Sequence, residues 1–453
     1  MREFAYALLL AALRTGFCAY RGAHQSITID EAYTFNRYLS GSWWDVWNYY
    51  EANNHVLYSI LAKFSIQCFG LSELTLRLPS LLAGFFFIFG AFKILELAVQ
   101  SRAIRWITLA ALSLHPLLLD FSIAARGYGL GLAFLTWAIY FTMRRRYAAA
   151  GATLGLAISA NLIMLFPAAG LLLAVVFVSS QDRWRNLAMI VAVAETIFVV
   201  ICFGALRHAE RNHFYIGEPQ ISEALRQNVY YSIRATAHSG LFGKDAAVRW
   251  IELLFLPAAT LSVLAASARA ARKERLIPLI ILFICIAGIL AAHFFANMNY
   301  PVDRMALHLY LLLALAWAIA ADSPPRFRIA NLALAALLVM QFATQLQISQ
   351  FGVWSEDAHD KEIARRIDQL SASKPPESVR ISTSWWHQST LEFYRVQMHM
   401  TAVQPIAWNS PTRFDGYDFY VLGGDDIQQM AAHNIRVLFR DPNIALGCTI
   451  VDQ

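Results

Sequence analysis

Long apolar runs separated by short basic turns set the terms for this chain. A bilayer-spanning helix needs about 20 mostly apolar residues. Runs that meet or approach this requirement recur at about 4–20, 79–99, 106–121, 128–143, 147–160, 162–179, 186–206, 249–267, 276–297, 304–321 and 328–347. With 58% hydrophobic and 15% charged residues over 453 positions, the chain is too apolar for a water-soluble protein. The pattern predicts a mainly α, polytopic membrane helix bundle of about eleven spans. Five cysteines without CxxC spacing indicate neither a disulfide framework nor a zinc motif.

The net charge of +6 follows from the turns and does not point to nucleic acid. Basic residues gather at Arg102/Arg105, Arg144/Arg145/Arg146, Arg183/Arg185, the run from Arg269 to Arg275, and Arg326/Arg328. These turns should face the cytoplasm. The alternate turns, 122–127, 161, 207–248 and 298–303, then lie outside, as do a first outer loop over 21–78 and everything after 347. Residues 1–347 form the membrane domain on this reading. The apolar segment 56–71 would invert the later loops if it spanned. His55, Ser59, Lys63 and Gln67 recur every four residues along it, so it reads as an amphipathic helix at the outer interface.

From 348 the composition becomes polar, and 348–453 reads as a small extracytoplasmic α/β domain. ESVRISTSW, YDFYVLG and IRVLFRD have strand character, and 359–371 and 388–396 helical character. Trp385-Trp386 within it reads as a core pair, with contact to an acceptor glycan as the alternative.

The densest polar chemistry lies in the first outer loop. Thr28-Ile29-Asp30-Glu31 fits a capping box, with Thr28 as the cap and Glu31 reaching back to its amide. That use of Glu31 leaves Asp30 available as a general base. Trp43, Trp44, Trp47, Tyr49 and Tyr50 read as an interfacial anchor or a stacking platform for a sugar ring. Asn54 and His55 precede the amphipathic helix, where they could position the acceptor or the loop.

Asp30-Glu31 after the first helix, the apolar stretch after His55, and Arg77-Leu78-Pro79-Ser80 opening the second helix occur in an order that resembles the GT-C superfamily of integral-membrane glycosyltransferases. The branch it resembles contains protein O-mannosyltransferases and the lipid A aminoarabinose transferase. The resemblance implies transfer of a monosaccharide from a polyprenyl-phosphate donor to an extracytoplasmic glycan, lipid or protein acceptor, by inverting displacement. It further implies a bacterial inner-membrane location. Asp30 would be the base, with Glu31 supporting it or positioning the acceptor. The leaving phosphate would be held by cations and hydroxyls from Arg126, Arg304, Arg77, Lys63, Tyr128 and Tyr300, with holding the loop in place as the alternative for Arg77. A divalent metal on Asp30 and Glu31 with Asp120 or Asp303 is an alternative source of positive charge, although the turn after Arg126 lacks the carboxylate that some relatives carry, and the arginines could suffice without a metal. A transporter or flippase of lipid-linked sugars is the rival function; it should show internal symmetry and polar groups at the midplane, and neither is evident.

Overall fold

The computed structural model describes residues 2–49, 51–178, 182–208, 217–233, 273–322, 325–406 and 412–449. The expected span at 249–267 and most of the second outer loop, including Arg211 and His213, lie outside the described residues. The chain opens with α1 (Arg2–His24), whose buried face repeats at helical spacing through Ala7, Ala11, Arg14, Cys18 and Arg21. Three short elements carry the first loop: α2 (Ile29–Thr34), a π-helical turn at Phe35–Leu39, and α3 (Asp45–Asn48). Next come α4 (Val56–Phe69), α5 (Glu73–Ala98), α6 (Arg102–Leu114), α7 (Pro116–Asp120) and α8 (Gly127–Met143). They are followed by α9 (Tyr147–Ala160), α10 (Leu165–Val178), α11 (Arg183–Leu206) and α12 (Ile221–Ile233). The bundle closes with α13 (Ile277–Ala296), α14 (Leu307–Ala321) and α15 (Pro325–Thr344). Helices α1, α5, α8, α9 and α11 pack in succession, α10 lies on α13, and α6 on α15.

Among the described residues, four helices are long and apolar enough to cross a membrane: Glu73–Ala98, Arg183–Leu206, Glu274–Ala296 and Asp303–Ala321. This corrects the expected eleven. Five further apolar helices are shorter, Val56–Phe69, Gly127–Met143, Tyr147–Ala160, Leu162–Val178 and Arg328–Thr344. Composition marks apolar runs, but turns such as the one at Arg144–Arg146 cut them below spanning length. The α4 segment illustrates the point. Its 14 residues rise only about 21 Å, against a hydrocarbon core of about 30 Å. Its polar stripe also turns inward: Ser59 and Lys63 are buried, while Phe64 and Phe69 face out.

Ion pairs gather the basic turns at one end of the bundle. Glu3 takes Arg102 and Arg105, Arg145 pairs with Glu274, and Arg275 lies 3.6 Å from Asp322, whose carboxylate also accepts the Gln100 and Ser101 amides. The first loop, the turn before α8 and the turn before α14 meet at the opposite end. Gly127 and Gly129 make that second junction possible. A Cβ at Gly127 would sit 2.0 Å from the Ala160 carbonyl oxygen, and one at Gly129 would sit 2.1 Å from that of Phe121.

The C-terminal residues form a four-stranded sheet with α16 (Asp360–Ser371) and α17 (Trp385–Gln397). The strands are β1 (Ile381–Thr383), β2 (Phe419–Gly423), β3 (Ile435–Asp441) and β4 (Ile444–Thr449), in the order β1-β2-β4-β3. Only the β1–β2 pairing is parallel, with Ile381 opposite Phe419. The strand β4 adds to the three expected from the sequence. Trp385 and Trp386 stack on each other at 3.7 Å and are 42% and 44% exposed, so the core-pair expectation fails.

Candidate active site

Helix α2 begins with the expected capping box. The Glu31 amide donates to Thr28 Oγ1 (3.3 Å) and the Thr28 amide to Glu31 Oε2 (2.9 Å). Glu31 is fully buried, and it also accepts Arg77 Nε (2.9 Å), Arg77 Nη2 (2.7 Å) and the Ala125 amide (2.5 Å). The remaining Arg77 donors reach the carbonyls of Gly22 (2.7 Å), Gln25 (3.0 Å) and Ser26 (2.7 Å). A guanidinium has five N–H donors, and all of them are used. Arg77 therefore has no donor left for a phosphate and braces the loop carrying Asp30, the alternative the sequence offered for it.

Asp30, one position earlier, points the other way. Its Oδ2 lies 3.2 Å from Arg304 Nη1 and makes no hydrogen bond. The Arg304 guanidinium stands 5.6 Å from the ring of Trp354. Arg126 is buried beneath. Its Nη1 donates to Thr34 Oγ1 (2.9 Å), the Asn53 carbonyl (3.1 Å) and the Asp30 carbonyl (3.4 Å), and its Nη2 to Asn53 Oδ1 (2.7 Å). Arg126 Nε has no hydrogen-bond partner.

A cavity of about 860 Å³ is lined by residues next in sequence to members of this group. Its polar end is formed by Glu51, Asn54, His55 and Tyr128, and its apolar wall includes Leu162, Phe166, Ile284 and Met305. Two chain connections tie it to the charged pair: Arg304 immediately precedes Met305, and Asn53 lies between the lining residues Ala52 and Asn54. His55 packs edge-on to Tyr128 at 4.8 Å. Burial first, and Arg126 second, push the His55 pKa well below its ordinary value, so its ring is neutral.

The other expected site residues lie as follows. Asn54 holds the loop: its Nδ2 donates to the Val46 (2.8 Å) and Tyr49 (2.5 Å) carbonyls, and its Oδ1 accepts Ser59. Lys63 donates to the carbonyls of Tyr38, Gly41 and Ser42, at 3.4, 2.9 and 2.5 Å, so the structure assigns it to the loop and not to a phosphate. Tyr300 stacks on His293 at 4.2 Å, and its backbone pairs with Glu218, which leaves only Tyr128 of the two tyrosines on the cavity. The reading from sequence missed Glu51, whose carboxylate accepts the Tyr33 (3.3 Å) and Tyr38 hydroxyls. It also missed Trp354. Neither lies in a motif that would single it out.

The expected metal set with Glu31 and Asp120 does not assemble. Asp120 pairs with Arg21 (2.8 Å) and accepts the Gly352 amide (2.8 Å), and Glu31 is committed to Arg77 and two amides. Among the described residues the one grouping of three metal-ligating side chains is Asp357, Asp360 and His387, which could hold a metal ion. It lies in the C-terminal domain. Burial, and then the neighbouring Asp360, push the Asp357 carboxyl well above its ordinary value.

No family model and no curated protein matches this chain. Solved structures do. ArnT from Cupriavidus metallidurans in the apo state superposes with a TM-score of 0.62 at 13% identity, covering 99% of this chain and 98% of that one. The fold is GT-C-like. The same ArnT bound to undecaprenyl phosphate gives 0.59 at 15% identity, with 99% and 98% covered. The archaeal oligosaccharyltransferase AglB from Archaeoglobus fulgidus, in complex with an inhibitory peptide and a dolichol-phosphate, gives 0.51 at 14% identity, covering 94% of this chain and 70% of that one. At these identities the likeness is one of fold.

Proposed function

We propose that this GT-C-like protein is a glycosyltransferase that moves a monosaccharide from a polyprenyl-phosphate donor to an acceptor hydroxyl at the outer face of a bacterial inner membrane. The observation that carries the reading is the partly exposed Asp30–Arg304 pair, together with a large, mostly apolar cavity lined by Met305, the residue after Arg304. An isoprenoid chain suits the apolar wall, and a phosphate at its head suits Arg304, the residue before the lining Met305.

In the proposed reaction the acceptor oxygen attacks the anomeric carbon from the face opposite the phosphate. Asp30 takes the hydroxyl proton as the new glycosidic bond forms. The bond from the anomeric carbon to the phosphate oxygen breaks, and polyprenyl phosphate leaves with its electron pair. The developing negative charge is met by Arg304, with Arg126 setting the position of Asn53 and the Asp30 backbone. The oxygens of Glu31 and Asp120 are already bound by arginines and amides, so no step passes through a metal on Asp30, Glu31 and Asp120. The acceptor class stays open among protein, lipid and glycan.

The test is transfer by purified protein in detergent, using polyprenyl phosphates carrying labelled sugars and candidate acceptors. A new glycosidic product with wild type, lost in Asp30→Asn, is expected. Movement of intact labelled lipid across vesicles without any product would make the protein a transporter instead.

A further inference from the structure

The C-terminal domain carries a polar cluster that the proposed transfer does not use. Asp357 lies in the turn Ser355–His359, Asp360 opens α16, and His387 stands in the first turn of α17. All three are buried, at 4%, 0% and 1% exposure. One ligand-type atom from each lies within 4.8 Å of the others. Two buried carboxylates this close repel, and among the described residues no lysine or arginine forms an ion pair with either.

The hydrogen bonding points to what would relieve that repulsion. Asp360 Oδ1 and His387 Nδ1 face each other at 2.9 Å, yet neither makes a hydrogen bond. Their alignment does not suit a shared proton. The spacing does suit two neighbouring ligands of one ion, because bonds of about 2.0–2.2 Å at tetrahedral or octahedral angles put adjacent ligands about 2.8–3.5 Å apart. Each carboxylate is also oriented through its other contacts. The Thr390 hydroxyl donates to Asp360 Oδ2, and the Ile29 amide donates to Asp357 Oδ2 at 2.7 Å. Such supporting bonds are what orients metal ligands in built sites. Gly423 leaves room for the imidazole, since a Cβ there would sit 2.8 Å from His387 Nε2.

We propose that Asp357, Asp360 and His387 bind one divalent first-row transition ion, of the zinc or manganese type, which fastens the C-terminal domain onto the helix bearing Asp30. An imidazole with two carboxylates suits these ions better than magnesium or calcium, which prefer oxygen alone. The fastening follows from the surroundings. Ile29 opens α2 beside Asp30, and its amide is held by Asp357. On either side, Ser26 donates to the Ala358 carbonyl (2.9 Å), the Ile27 amide to Tyr394 Oη (2.8 Å), and Asn36 to the Ser389 carbonyl (2.9 Å). The ion would lie at the centre of this seam, with no direct part in chemistry at Asp30.

The test uses the full-length protein in detergent, stripped with chelator and then titrated separately with zinc and with manganese. Expected are saturation near one equivalent per chain by elemental analysis, a rise in Tm, and slower amide exchange in the peptide around residues 26–34 on loading. Asp360→Asn and His387→Gln, both close in shape, should each weaken binding at least about tenfold. Wild-type protein that gains neither equivalent nor Tm from either ion overturns the proposal, as does binding unchanged in the double variant. The wild-type arm needs no variant to fold. Failure of transfer at Asp30 would not touch these readouts, so the two readings fall separately.

Discussion

The Glu31–Arg77 knot and the Asp30–Arg304 pair each set one acid of a dipeptide against one arginine, and their surroundings could hardly differ more. In the knot both side chains are fully excluded from solvent, and every guanidinium N–H is matched by a carboxylate or carbonyl oxygen. In the pair the side chains are 16% and 20% exposed, Asp30 Oδ2 lies 3.2 Å from Arg304 Nη1, and Met305, next to Arg304, lines the cavity. A saturated buried pair fixes geometry and has no capacity for a ligand. A partly open pair can trade its contact for substrate. Adjacent acids therefore divide support and chemistry between them, and the division follows from the rotation of successive residues about a short helix.

The largest effect expected from this contrast is on stability. Arg77→Ala leaves Glu31 buried and unpaired, which should cost about 3–5 kcal/mol and lower both Tm and yield. Glu31→Gln should cost less, because the amide oxygen still accepts from part of the guanidinium. A Tm for Arg77→Ala equal to wild type would dissolve the knot as a structural unit. Asp30→Asn should do the reverse. Turnover falls about 10²–10⁴-fold, the range for loss of a general base, while Tm and donor affinity stay near wild type. Single-turnover transfer at saturating donor measures it, and full turnover would remove Asp30 from the mechanism.

Arg304→Ala comes next. Loss of a charge-assisted hydrogen bond worth about 1.5–3 kcal/mol should weaken donor binding about 10- to 150-fold. Arg304→Lys should recover only part of it, since an ammonium lacks the planar fork. Donor affinity measured on the Asp30→Asn background separates binding from turnover. Unchanged affinity in both Arg304 variants would place the phosphate elsewhere.

How far the sequence revealed this arrangement depends on the range of the interaction. The capping box at Thr28 and Glu31 was legible because its partners are three residues apart and its chemistry is backbone chemistry. The apolar runs were legible as helices for the same reason of local period, although more were counted as spans than are long and apolar enough to cross a membrane. The partners of Arg77 were hidden, although a loop-holding role for it was not, since the oxygens that saturate it come from residues 51 to 55 positions away and from Glu31, 46 positions away. Trp354 and the Asp357, Asp360 and His387 cluster were hidden by the fold of the C-terminal segment back onto the first loop. The strand β4 escaped notice because IALGCT carries little alternation, being apolar on both faces for its first four residues.

The smallest expected effect concerns Lys63, which the family resemblance places with the phosphate ligands. Its ammonium holds the Tyr38 carbonyl of the π-helical segment and the Gly41 and Ser42 carbonyls of the turn that follows, and that turn supports the loop leading to Asn53 and Asn54. Lys63→Met keeps most of the stem and removes the donors. The carbonyls at Gly41 and Ser42 lie close to solvent and can rehydrate, so the cost should be about 1–2 kcal/mol, near the lower end for a hydrogen bond to a charged group. Amide exchange in residues 38–45 should quicken, and donor affinity should change less than about threefold, well under the loss at Arg304. If exchange holds steady while donor affinity drops tenfold or more, the ammonium belongs with the open pair after all, and the line between supporting and reacting cations would have to be redrawn through α4.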